Sequence, residues 1–152
     1  MKKDCLICKR IQLIKKGKNP YFVTELSTGY VVIGDHQYYR GYTLFLCKNH
    51  VYELHQLKKE FRMKFLYEMS IVGQALFNAF KPDKLNYELL GNTQPHLHCH
   101  IFPRYKTDPN KNHPVWTVNA SIRNADSTEP TKSDLEEMER KLLKEIKKLQ
   151  NK

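Results

Sequence analysis

The chain has 152 residues, a formal net charge of +10 and four cysteines, enough for one domain that buries a core without disulfides. Its apolar stretches fall far short of the roughly 20 residues that span a bilayer, and it opens on the charged Met1-Lys2-Lys3-Asp4-Cys5, so we expect a cytoplasmic protein with no membrane partner. The basic balance favours anionic partners such as nucleotides, polyphosphates or nucleic acid and is silent on the fold.

Leu6, Ile7, Ile11 and Ile14 predict a short helix between Cys5 and about Lys16, broken by Gly17 and Pro20. Tyr21 to Leu26 and Tyr30 to Ile33 are β-rich runs separated by Ser27, Thr28 and Gly29, a hairpin pattern, and Thr43 to Cys47 reads as a third strand. From Leu57 to Phe80 the residues Leu57, Phe61, Phe65, Met69, Val72, Leu76 and Phe80 recur at three- and four-residue intervals, the stripe of one long helix that Pro82 stops. Asn86 to Leu90 is a fourth strand and His96 to Arg104 a fifth. Residues 106–130 read as loop packing through Trp116, and residues 131–152 as a C-terminal helix capped by Thr131 or Ser133. This order predicts a single α+β domain over residues 1–152: a five-stranded, mainly antiparallel sheet, one long helix across a face and a C-terminal helix.

The richest motif is His96-Leu97-His98-Cys99-His100. Alternation in an extended chain sends the three imidazoles to one face, away from the long helix, with His98 and His100 about 6 to 7 Å apart. Such a row suits a metal site or chemistry on an anion.

Cys5 and Cys8 form a C-x-x-C pair, and in a cytosolic chain close cysteines are more often metal or redox sites than bridges. With His50 and His96, the two most suitably placed histidines, they make a closed set of four ligands for a structural Zn2+. Cys47 and Cys99 read as small core residues. His98 and His100 then remain for chemistry on phosphorus, with Thr93 and Gln94 as hydrogen-bond donors and Arg104 and Lys106 as partners for distal phosphates. Asp35, ending a strand, suits either the two hydroxyls of a ribose or an ordinary turn. His36, His55 and His113 read as solvated or capping side chains.

Taken together, these residues resemble the histidine triad family. Cys5-Leu-Ile-Cys8-Lys-Arg-Ile is similar to its N-terminal zinc knuckle, Val32-Ile-Gly-Asp35 to its ribose-contacting turn, Leu44-Phe-Leu-Cys-Lys-Asn-His50 to its strand ending in histidine, and Gly91-Asn-Thr-Gln-Pro-His96 to its approach to the triad, here a short one. The resemblance implies a homodimer formed through the long helix and one strand. It implies that His98 attacks the α-phosphorus of a nucleotide, that His100 contacts the phosphate or leaving group, that Asp35 holds the ribose, and that Asn92, Thr93 or Gln94 touches the phosphate. His96 either completes the zinc site or supports the nucleophile. Histidine at position 100, where related uridylyltransferases carry glutamine, favours hydrolysis.

The expected function is therefore hydrolysis of a dinucleoside polyphosphate such as diadenosine tetraphosphate, or of a nucleoside phosphoramidate, through a nucleotidyl-histidine. Three other readings compete: nucleotidyl transfer to an acceptor, a binding module with little turnover, and a catalytic zinc shared by all three triad histidines. Lys144, Lys147 and Lys148 read as a solvated helix face, so nucleic acid is not the expected partner. A base pocket is expected to draw on Ile7, Phe22, Ile33 and Trp116.

Overall fold

A computed structural model describes residues 4–151. Five strands, β1 (Phe22–Glu25), β2 (Gly29–Ile33), β3 (Thr43–Cys47), β4 (Lys84–Glu88) and β5 (His98–Arg104), form one sheet in the order β1-β2-β3-β5-β4. Every neighbouring pair is antiparallel, as the hairpin-length connections predict.

Strand alternation divides the core in two. Val31, Ile33, Phe45, Cys47, Cys99 and Ile101 face one side, where they bury against α2 (Lys59–Phe80) and α4 (Lys132–Gln150). Tyr30, Val32 and Leu46 face the other, under Ile7, Ile11 and Ile14 of α1 (Leu6–Lys15). His98 and His100 project to this second side, so the long helix and the histidine row lie on opposite faces of the sheet as expected. A buried carboxylate ties the layers together: Glu68 of α2 accepts from the Ser27 and Thr28 amides at 3.0 and 2.8 Å, holding the β1–β2 turn.

Several boundaries move from their expected places. β4 starts at Lys84, because Lys84 already pairs with Arg104, and it ends at Glu88 opposite His100, which leaves Leu89 and Leu90 exposed. β5 begins at His98 rather than His96. Pro95 sits inside a tight turn in which the His96 amide donates to the Gln94 carbonyl at 2.7 Å, so His96 precedes the ladder and escapes its alternation. The long helix starts at Lys59, Leu57 closing a short 3-10 turn, and ends on Lys81 in the left-handed region (φ 52°) just before Pro82. Thr131 caps α4 by accepting from the Asp134 amide at 3.2 Å. Within the expected loop, Val115–Thr117 and Asp126–Thr128 make 3-10 turns around α3 (Ala120–Arg123). No described helix is long and apolar enough to cross a membrane.

Candidate functional site

The triad splits between two places. At the first, His96 turns towards the N-terminal cysteines. Its Nε2 donates to the Cys47 carbonyl at 2.8 Å, which leaves the Nδ1 lone pair facing Cys5 Sγ at 3.5 Å, Cys8 Sγ at 3.6 Å and His50 Nδ1 at 3.1 Å. Cys8 Sγ is 3.3 Å from His50 Nδ1, and the four ligand atoms all lie within 4.8 Å of one another. Tetrahedral zinc with ordinary Zn–S and Zn–N bonds separates its ligand atoms by roughly 3.3–3.8 Å, so these residues fit that ion. Cys5 caps α1 with its sulfur, and the first helical turn delivers Cys8 beside it. Two thiolates and two imidazoles close the coordination shell, the pattern of a structural site.

At the second place, His98 and His100 lie on neighbouring same-side positions of β5. The expected 6 to 7 Å is a backbone spacing, and the side chains do not keep it: their rings lean together until the two Nε2 atoms are 3.0 Å apart. Protons along this row are assigned by a single anchor. His98 Nδ1 is 2.5 Å from the His96 carbonyl, which only accepts, so Nδ1 carries the proton and Nε2 the lone pair. His100 must then donate through its Nε2–H, which leaves its Nδ1 to accept from the Tyr42 hydroxyl at 2.6 Å. Burial pushes the His98 imidazole below its usual range and His100 to about 3, where the neighbouring His98 and Arg123 charges add to the effect. Burial also raises the Tyr42 phenol well above its usual value, so it stays a donor. Both imidazoles are neutral at neutral pH, and a polarised chain runs from Tyr42 to the His96 carbonyl.

Tyr42 carries no catalytic motif, and sequence reasoning passed over it. Its ring stacks on Phe102, centroids 4.2 Å apart, and lies parallel to His100. Gly34 makes room for it, since a Cβ at that position would collide with the Tyr42 ring. Gln37 fastens the loop between them, donating to the Gly34 and Tyr42 carbonyls at 2.8 and 3.0 Å and accepting from the Gly41 amide at 2.8 Å.

His98 and His100 line a cavity of about 290 Å3, with an apolar floor of Ile7, Val32 and Leu44 and aromatic walls from Tyr38, Phe102 and Trp116. Ile7 and Trp116, two of the residues expected to line a base pocket, border this cavity. Phe22, on the edge strand β1, packs on the α1 side but borders a groove beside α4 rather than the cavity, and Ile33 is sealed in the core, where the strand pleat points it away from the cavity. Asp35 borders the cavity, its carboxylate held by a bidentate pair with Arg10 of α1. Gln94 reaches the cavity and accepts from the Leu6 amide at 3.4 Å, whereas Asn92 and Thr93 are exposed outside it.

Arg104 departs from expectation. Its guanidinium is buried and donates to Asp108 at 2.9 Å, Asn86 at 3.0 Å and the His113 and Asn110 carbonyls at 2.9 Å, with the Tyr39 ring over it. It folds the chain after β5 back on itself and has no charge left for a phosphate. Lys106 pairs with Asp83 at 3.3 Å, also away from the cavity. His36 meets Thr128 Oγ1 at 3.1 Å on the cavity rim, while His55 and His113 are exposed. Cys47 and Cys99 are core residues whose thiols burial raises to about 11 and about 12, out of reach of redox or nucleophilic use.

The chain is similar in sequence and fold to known proteins. Residues 21–107 match the family model for the HIT domain. A histidine triad protein from Bradyrhizobium japonicum superposes with a TM-score of 0.73 at 25% identity, over 82% of this chain and 89% of that one. A hypothetical histidine triad nucleotide-binding protein from Sulfolobus tokodaii gives 0.72 at 21% identity over 94% of both chains. A Zn-bound histidine triad family protein from Mycobacterium smegmatis gives 0.63 at 23% identity, over 97% of this chain and 96% of that one. No curated protein sequence matches. With more than half its length in the family model and the fold shared with histidine triad structures, the chain belongs to the histidine triad family.

Proposed function

We propose that the protein is a zinc-stabilised nucleotide hydrolase that cleaves a dinucleoside polyphosphate or a nucleoside phosphoramidate through a nucleotidyl-histidine. One observation carries this reading: His98 spends Nδ1 on a backbone carbonyl and so presents a neutral, unprotonated Nε2 beside an apolar, aromatic-walled cavity bordered by Asp35. Zinc on Cys5, Cys8, His50 and His96 would supply cross-linking of α1 to the sheet rather than chemistry.

In the first half-reaction His98 Nε2 attacks the α-phosphorus. The P–N bond forms, the P–O bond to the bridging oxygen breaks, and its electron pair leaves with that oxygen. For a phosphoramidate the broken bond is P–N, and the departing amine takes up a proton. The Nδ1–H bond to the His96 carbonyl steadies the positive charge the ring acquires, and His100 Nε2–H turns from His98 to a phosphoryl oxygen. Water then attacks phosphorus, the P–N bond to His98 breaks, and a proton passes to solvent with the nucleoside monophosphate. Asp35 keeps lone pairs for ribose hydroxyls despite its pairing with Arg10. The base packs on the apolar floor and Trp116.

The reading extends to a homodimer. Met63, Tyr67 and Phe77 share one exposed stripe of α2, and Tyr87, Leu89 and Leu90 are exposed on and after β4. Gly73 lets Tyr87 lie flat on the helix between them. Sedimentation should give two chains, and a monomer at micromolar concentration would remove this part of the proposal.

The enzymatic reading is tested by intact mass after brief mixing with diadenosine tetraphosphate and an alkaline quench. An adenylate adduct present in wild type and absent in His98→Ala supports it; wild type without adduct or product sinks it.

A further inference from the structure

Arg10 and Arg123 line the cavity and Arg104 lies beyond it on β5; two of the three have their charge consumed. Arg104 is sealed among protein acceptors, and Arg10 is matched by Asp35. Arg123, the last residue of α3, is held differently. Its Nε donates to the Val118 carbonyl at 3.0 Å and its guanidinium lies 4.6 Å over the Trp116 ring. Among the described residues no carboxylate forms an ion pair with it and nothing accepts from its two Nη groups, although the Glu88 carboxylate across Trp116 lies within electrostatic reach. Trp116 is fixed in turn, its indole donating to Glu88 and its edge set 5.6 Å from the His100 ring. Arg123 lines the same cavity as His98 and His100, and its charge reaches the His100 imidazole.

We propose that Arg123 binds the phosphate that departs when His98 takes the nucleotidyl group, so that the cavity is built for a nucleoside polyphosphate as leaving group rather than a neutral amine. This rests on the hydrolase reading above. When the P–O bond to the bridging oxygen breaks, its electron pair adds negative charge to the departing phosphate. A guanidinium oriented by an aromatic face and one carbonyl offers that phosphate a planar fork whose position is already set. Because its partners are a π face and a neutral carbonyl, its positive charge remains available to the transition state. An amine leaving from a phosphoramidate develops no such negative charge and draws little from Arg123.

The test compares kcat/KM for diadenosine tetraphosphate and adenosine 5′-phosphoramidate in wild type, Arg123→Gln and Arg123→Lys. The tetraphosphate-to-phosphoramidate ratio should fall roughly 10- to 100-fold in Arg123→Gln, the scale of a charged hydrogen bond, and recover in part in Arg123→Lys, which keeps charge without the fork. A ratio unchanged in Arg123→Gln overturns the proposal, and because both rates come from one preparation, partial misfolding leaves the ratio unmoved. Wild type that turns over neither substrate would instead remove the hydrolase reading, and this inference with it.

Discussion

His96 and His98 are separated by one leucine and do opposite things with the same ring. His96 commits Nε2 to the Cys47 carbonyl and faces Cys5, Cys8 and His50 with Nδ1; His98 commits Nδ1 to the His96 carbonyl and faces His100 with Nε2. Nδ1 lies close to its own main chain, so it suits a ligand buried beneath the sheet end, whereas Nε2 at the far edge of the ring can meet a substrate. The choice of nitrogen is made by which backbone oxygen is within reach, and so by the turn at Pro95 that takes His96 out of the ladder.

The sharpest way to break this contrast is to damage one half and ask about the other. His98→Ala should lower turnover by more than about 10⁴-fold, as loss of a nucleophile does, and leave one zinc per chain by elemental analysis; loss of zinc would mean the two halves are one unit. Cys8→Ser should do the reverse. A metal present at 1,000 times its Kd stabilises a fold by about 4 kcal/mol, so losing it should lower Tm by roughly 8–16 °C for a domain of this size. An unchanged melting curve would remove the structural role of the metal.

Tyr42→Phe keeps the stacking on Phe102 and deletes only the hydroxyl. Turnover should fall about 10-fold, the worth of one buried hydrogen bond, and nitrogen NMR should show His100 passing from the Nε2–H tautomer to a mixture. A tautomer that stays put would show that Tyr42 does not set it. The smallest effect is on acidity. Burial holds the His98 and His100 imidazoles below the ordinary histidine value, with His100 at about 3, so the acid limb of the rate profile should lie below pH 6.5. The linkage has a matching sign: the unfolded chain binds these protons first, so the contribution to stability is complete above pH 6.5 and declines as pH falls below it. An acid limb at 6.5 or above would mean the pair titrates as if solvated.

The sheet was legible because its inner strands are runs of apolar and β-branched residues with Gly, Asp and Pro at the breaks, and both long helices announced themselves through their apolar stripes. The candidate metal cluster could be read because two cysteines separated by two residues have few other uses. Geometry that depends on rotamers was not legible. Nothing in the spacing of His98 and His100 says that their rings converge, and nothing in Arg104 says that its guanidinium turns inward to bind the chain that follows. Tyr42, Arg10 and Arg123 reach the cavity from a loop, a helix and a four-residue turn of helix, so no local pattern links them to the triad. For Tyr42 a signal existed: it follows Gly41, which holds a φ of 90°, and immediately precedes β3, the strand that pairs with β5.

Gly34 shows how far such a constraint can travel. It touches no substrate and carries no group able to exchange a proton, yet a methyl there would evict the Tyr42 ring and with it the hydroxyl that faces His100. A substitution scan would score position 34 as catalytic, although its contribution is empty space. What Gly34 supplies is a volume, and through it the address of one hydrogen atom on the His100 ring, one contact further on.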